Sequence, residues 1–512
     1  MTREEVEQRL EEYAAHKAVK EAHEGEEQHS LEISDETLEN EEENTQGSPE
    51  DREGDTGHET PLEDATLQEE IESHDENKDS DIPSLDNCDI SELDLSDLNF
   101  FGISMRNTNL TKTILNRANL SKTSLLKANL QDAHLIDANL SEADLLDSDF
   151  SRANLEDANL EESIFNRAKF TEANLERANL RKCKLIETNL TKSNLNEVTC
   201  GLADFSYADL TGAQALGADF NRVKLSGANL TDANFTDSRL SMAVFFETKF
   251  MGTNLNRAQI KGSKLVKAEF SNACLTRADL TGADLSDAKL EGTNLLRAKL
   301  GGALLRRTHL VNSNLKETDL NIADLTNAQL SKVELDGANL GRIKLTNAVL
   351  KKAQLTKANI SKGKLSGVDL SGADLSGSNL RGADFTQAKL VGVDFSRADL
   401  TESILENAHI KNSFLTGADI RNANLKNVDL EGSDLSGTKL IKANLFMANL
   451  KGANLRRADL EHADFSQANL SQANLSGSKL ADANFSSAIL TDTDLSGTDT
   501  TDTDFSGAKG FK

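Results

Sequence analysis

The chain has 512 residues, 85 of them acidic and 56 basic, for a formal charge of −29, and it carries four cysteines, three prolines and no tryptophan. No run of residues is apolar for long enough to cross a bilayer, and the N-terminus lacks the apolar core of a signal peptide. Four scattered cysteines argue against a disulfide-stapled secreted fold, so the expected setting is the cytoplasm.

The charge sits at one end. The first 94 residues hold 34 acidic and 6 basic side chains, a net of −28, while the remainder nets −1. Residues 1–24 read as an amphipathic helix: Thr2 and Glu5 have capping-box spacing, and Val6, Leu10, Tyr13 and Val19 form a narrow stripe. Residues 25–82 are dense in Glu and Asp and poor in apolar side chains, too little to offset chain entropy, so the expectation is an acidic disordered segment. Residues 83–104 carry leucines into the register that follows and are expected to cap the entry into it.

From Leu95 to Leu495, 79 of 81 positions spaced five apart are Leu, Phe, Ile or Met, and only Cys200 and Ala215 depart. Two residues before each bulky position, from Thr108 to Ala508, stands a small residue, with Ile343 the largest. In a helix, residues five apart are turned by roughly 140°, which would spread the leucines around the whole circumference, so a helix is excluded. In an extended segment the small and the bulky residue share one side and the Asn or Asp between them takes the other. The two variable residues that follow are polar, so the chain must bend there. A bend every five residues coils residues 105–507 around an apolar interior, each coil pairing with the next about 4.8 Å away and leaving 508–512 as a tail.

The segments ANLSKTSLLKANL, ADLTGADLSDAKL and ANLRRADLEHADFSQANLSQANL resemble the pentapeptide repeat family, and the resemblance covers residues 95–507. It implies an all-β fold, a right-handed quadrilateral parallel β-helix with four pentads per coil. About twenty coils would then form a rod on the order of 100 Å long. The residues by themselves leave the coil length open, because seven inward phenylalanines share one face for a coil of either fifteen or twenty residues. At twenty, Phe150 should stack on Phe170, Phe250 on Phe270 and Phe465 on Phe485 and Phe505, and Asn99, Asn119, Asn139, Asn159 and Asn179 should form an amide ladder. Cys183 and Cys200 should be buried and Cys274 outward. Between Asn196 and Phe220, where Cys200 and Ala215 underfill the wall, a local bulge is expected.

A rod with flat walls and no inserted loop offers no pocket for catalysis, so no enzymatic activity is expected. No cofactor is expected either. The histidines His134, His309, His409 and His462 lie in separate coils, and the DTDLSG and DTDFSG runs at Asp492 and Asp502 lack a calcium loop's third acidic ligand and its closing Glu, so no metal is expected. Binding remains. Ten outward apolar residues, Leu126, Leu146, Ile164, Ile186, Val244, Phe246, Val266, Leu304, Ile404 and Phe446, would share one wall of a four-sided coil, densest around Phe246, as a candidate protein contact. Arg257, Arg277 and Arg297 would stack on one corner as a candidate anion contact.

The leading reading is a non-enzymatic interaction scaffold, a stiff rod with an acidic arm. Its partner would be a protein, and self-association through the apolar wall or a solenoid end is a further use. A second reading follows from the family resemblance, whose members include DNA mimics that bind or protect a type II topoisomerase. The near-neutral rod speaks against it, and no direct contact with nucleic acid is expected. A third is a secreted bacterial effector whose rod binds a host component.

Overall fold

Each pentad brings five backbone N–H groups that must find acceptors, and the computed structural model, which describes residues 1–31 and 83–510, shows where they go. In Asn109 to Thr113, Asn109 N–H donates to the Cys88 carbonyl of the preceding coil (2.9 Å), and Leu110 and Lys112 donate to Asn129 and Gln131 of the following coil (2.7 and 2.9 Å). Thr113 N–H closes a β-turn on the Leu110 carbonyl (3.1 Å). Thr111 N–H is left over, and the Asn109 side-chain oxygen accepts it at 3.3 Å. This last bond explains the Asn or Asp before each bulky residue: its side chain serves the backbone donor that no coil can reach.

The second turn residue is left-handed throughout, as Lys112 (φ 56°), Arg117 (58°) and Lys122 (58°) illustrate. Positive φ at this place is what lets a four-residue turn close on itself with that polarity. The bend inferred from the polar positions therefore has a definite conformation.

The coil length is settled by the β-bridges. Each outward residue pairs in parallel with the one twenty residues on, from Asp89↔Asn109 to Ile489↔Lys509, without an interruption. Each coil therefore contains four pentads. Leu, Phe and Ala side chains fill the interior, with Leu110, Leu300 and Phe385 among many at zero exposure. Phe150 stacks on Phe170 (4.8 Å between ring centroids), Phe250 on Phe270 (4.4 Å), Phe465 on Phe485 (4.8 Å) and Phe485 on Phe505 (5.4 Å). The amide ladder is present too: Asn119 donates to Asn99 at 2.9 Å, Asn139 to Asn119 at 3.4 Å, Asn159 to Asn139 at 3.2 Å and Asn179 to Asn159 at 3.0 Å. Inward Ser and Thr are not left bare. Thr113 Oγ1 donates to the Ile90 carbonyl of the coil before (3.1 Å), whereas Ser148 Oγ uses Leu145 of its own turn (2.6 Å).

Three expectations need correction. The ladder runs past both expected ends, 105 and 507: within the entry segment 83–104, Asp89, Asp94, Asn99 and Ser104 already bridge the next coil, and Lys509 is its last rung. No bulge occurs at Cys200 and Ala215: both are fully buried, and the bridges through Thr199 and Gln214 keep their register. Phe205, Phe220 and Phe235 supply the missing volume, with ring centroids 5.5 and 5.2 Å apart in sequence order. Only a stretched Leu202 to Asn221 hydrogen bond of 3.4 Å marks the place.

The third correction concerns the N-terminal unit. Helix α1 spans Arg3–Leu31 rather than ending at 24, so residues 25–31, expected to be disordered, are helical. Nothing in EEQHSL breaks a helix, and the first proline comes only at Pro49. The rest of the expected disordered segment lies outside the described residues. The capping box is formed as its spacing predicts: Glu5 N–H donates to Thr2 Oγ1 (3.2 Å) and Thr2 N–H to a Glu5 carboxylate oxygen (2.7 Å). Along the stripe Val6 is buried and Leu10 and Tyr13 half-buried, but Val19 is 60% exposed. Arg9 donates to the Ser84 carbonyl at 2.8 Å. Among the described residues no helix is long and apolar enough to cross a membrane.

Candidate interaction surfaces of the solenoid

The twenty-residue repeat places the ten outward apolar residues on one wall and its following corner. Ile164, Val244, Leu304 and Ile404 belong to a single bridge ladder, whose other rungs include Lys184, Asp204, Asp284 and Asn424. The other six occupy the turn after it. Two groups form. Leu126, Leu146, Ile164 and Ile186 fall in four successive coils, and Val244, Phe246 and Val266 in two. Leu304, Ile404 and Phe446 stand apart, Leu304 between Asp284 and Asp324. Eight of the ten are half-buried against their neighbours; Phe246 and Ile404 are exposed, at 38% and 40%.

Sequence reasoning missed part of the central group. Met242, 61% exposed, is the turn residue two before Val244, so Met242, Val244 and Phe246 line up across one wall as alternate outward residues. Its signal was a methionine in a turn position filled mostly by charged residues, asparagine and glycine. Its thioether lies over Gly262, where a Cβ would meet the sulfur at 2.8 Å. Tyr207, 60% exposed, likewise lies across Gly227, where a Cβ would sit 2.6 Å from the ring. Lys267 Nζ sits 5.1 Å from the centre of the Phe246 ring and 3.1 Å from Glu247, so a cation rims the apolar centre. Phe414 (54% exposed), Met447 and Ile322 are further exposed apolar side chains that the sequence reading did not single out.

Charged residues on the corners pair along the column. Arg117 reaches Asp97 (2.7 Å), Arg152 Asp132 (2.7 Å) and Arg167 Asp147 (2.8 Å), each one coil back. The hydrogen-bonded guanidinium of Arg152 holds the Asp132 carboxyl below its ordinary value, and Arg307 does the same for Asp287. The three candidate anion-contact arginines do stack on one corner, but two are already engaged. Arg257 grips both carboxylate oxygens of Asp237 below, and Arg297 those of Glu317 above (2.7 and 3.2 Å).

Of the thiols, Cys183 and Cys200 are buried and Cys88 and Cys274 partly exposed. Burial pushes the Cys183 thiol up to about 12 and Cys200 well above its usual value, so neither ionises near neutrality. Among the described residues no group of three or more His, Cys, Asp or Glu is arranged to hold a metal.

The family described as pentapeptide repeats matches residues 88–126, 128–167, 283–321 and, in overlapping stretches, 323–507, and a second description, pentapeptide repeat region, matches 158–235 and 218–300. No curated protein matches the chain. Among solved structures, HetL of the cyanobacterium Nostoc sp. strain PCC 7120, a pentapeptide repeat protein involved in heterocyst differentiation regulation, is 30% identical over 48% of this chain and 89% of its own, with a TM-score of 0.20. Rfr23 of the cyanobacterium Cyanothece 51142 is 29% identical over 25% of this chain and 90% of its own, TM-score 0.15. QnrB1, a plasmid-mediated fluoroquinolone resistance protein, is 20% identical over 32% and 85%, TM-score 0.15.

Proposed function

The chain belongs to the pentapeptide repeat family, whose fold is the right-handed β-helix, and from that premise we propose that it is a non-enzymatic protein-interaction scaffold of about twenty coils. The observation that carries this reading is the aligned row Met242, Val244 and Phe246 with Val266 on the next coil, an apolar patch bordered by Lys267 and Glu247 and, on the adjacent rungs of the ladder, by Lys224 and Lys264. Apolar side chains that the coil does not need for its own core, backed by a rigid backbone, match the apolar-centre and polar-rim anatomy of a protein contact. A preorganised wall also binds without an ordering cost of its own. The wall's other apolar residues, from Leu126 to Phe446, would extend the contact along the rod, and the −28 segment before the repeats would serve basic surfaces on the same partner.

Affinity capture from the native cell tests this with the full chain, with Phe246→Asp, and with Gln472→Asp on a different corner. Partners lost with Phe246→Asp and kept with Gln472→Asp place the contact on this wall. Equal capture by all three would sink it. Mimicry of DNA toward a type II topoisomerase would have to come from the acidic segment, because residues 95–512 net −1. It would show as topoisomerase captured by the full chain but not by a chain with the acidic segment neutralised.

A further inference from the structure

Around Arg277 the corner column reads Asp237, Arg257, Arg277, Arg297, Glu317, one residue per coil, and the pairing leaves the centre unmatched. Arg257 is drawn one way to Asp237 and Arg297 the other way to Glu317, so Arg277 has no carboxylate partner among the described residues. The nearest acid on the following strand, Asp279, is held by Lys261 at 3.2 Å. Like charges on adjacent rungs repel, and three guanidiniums stacked at the coil spacing are relieved by an anion between them.

A groove of about 170 Å³ lies at this point, lined by Asn256, Arg257, Thr276, Arg277, Leu296 and Arg297, with no carboxylate in its wall. Its donors are available for a local reason. In the repeat, the N–H of the first turn residue is taken by the Asn or Asp two before it; here that position is Cys274. The Cys274 thiol donates to Asn256 Oδ1 (3.0 Å), which occupies the oxygen that Asn196 and Asn221 in the same turn position give to the backbone one coil on, at 2.9 Å in each case. Thr276 N–H consequently has no acceptor among the described residues, and neither does the Asn256 amide N–H₂. The Thr276 hydroxyl is engaged with the Cys274 sulfur at 3.5 Å, which leaves Thr276 N–H, the Asn256 amide and the Arg277 fork as donors gathered at one groove, the complement of a tetrahedral oxyanion.

We propose that this groove is an oxyanion site that takes a phosphate-type dianion, with Arg277 as its principal ligand and Thr276 and Asn256 completing it. The shared chemistry is the phosphoryl group, whether free or carried on a side chain. The site is independent of the apolar wall: it lies on another corner, and its failure leaves that reading untouched.

Phosphorus NMR of inorganic phosphate titrated with the full chain at low ionic strength is the direct measurement. Line broadening should appear, vanish with Arg277→Gln, and persist with Arg222→Gln, an exposed arginine on a different corner; circular dichroism should show all three chains equally folded. Glu317→Gln, which releases Arg297 toward the groove, should strengthen binding about two- to threefold. Equal losses with Arg277→Gln and Arg222→Gln would mean diffuse attraction and overturn the site, as would no broadening at all. O-phosphoserine as the second probe separates the sources. If it binds as phosphate does, the site accepts a phosphorylated side chain; if only phosphate binds, the ligand is the free anion.

Discussion

Ile322 is a β-branched residue held at φ 58° and 52% exposed, in a position where most coils place a charged residue or glycine. Left-handed backbone costs an ordinary side chain about 1–2 kcal/mol, and a β-branched one is the hardest to place there. Ile322→Asn should therefore raise stability by about 1 kcal/mol, read as a higher midpoint in urea, since Asn tolerates this region. The outward Asn is the reverse case. Asn139 Oδ1 accepts from Ser141 N–H (3.1 Å) and from the Asn159 amide (3.2 Å), and its own amide donates to Asn119 (3.4 Å). Asn139→Ala removes all three and should cost about 1–3 kcal/mol in the same measurement. The choice of Asn at this place was visible in the sequence, but its reason was not: the bond to the turn N–H exists only once the turn is left-handed.

At the level of the coil, the bulky and small residues fix what is inside, and the thiols report it. In native protein near pH 8, iodoacetamide should label Cys274 and Cys88, while Cys183 and Cys200, fully buried and with their ionisation suppressed, should react only after unfolding; mass spectrometry of the tryptic peptides distinguishes the four. Early labelling of Cys200 would mean that the wall at Ala215 opens, the behaviour expected of the bulge that the structure lacks. That expectation failed because underfilling was judged at each position alone. Phe220 and Phe235 are the next residues along the columns of Cys200 and Ala215, and a ring in the neighbouring rung fills what the small residue leaves. Helix α1 ran past its expected end for a similar reason, since a dense Glu and Gln run is a poor core former and still a good helix former.

The whole solenoid is a one-dimensional stack, each coil bonded only to the one before and the one after. A lesion should stay local. Leu300→Ala, which empties a fully buried position, should cost about 2–5 kcal/mol and accelerate hydrogen exchange mainly in the coils on either side, with distant coils such as that of Phe465 unchanged. Uniform acceleration along the chain would show one cooperative unit instead. Acid should act along the whole length. Asp132, Asp157, Asp237, Asp287 and Glu317 are all held below their ordinary values by the arginines they bind. Because the folded values are the lower ones, their contribution is complete above the ordinary carboxylate range near pH 4 and fades as pH falls through the depressed values. Thermal midpoints should be level from pH 7 to about 5 and fall below about 4, with a smaller drop in high salt, where these exposed pairs are already screened.

The pentad by itself determined that the chain coils, which residues face inward and where it bends, because a bulky and a small side chain two apart, followed by two polar ones, permit no helix and no continuous strand. It also located the candidate wall and the arginine column once a coil length was assumed. It did not determine the coil length, since a period of five divides fifteen as evenly as twenty. That was decided by closure in three dimensions, where the left-handed turn and the coil-to-coil hydrogen bonds are satisfied together at i and i+20. The unmatched state of Arg277 was decided there too: which carboxylate each stacked guanidinium reaches depends on the rungs above and below, and no reading along the chain contains that choice.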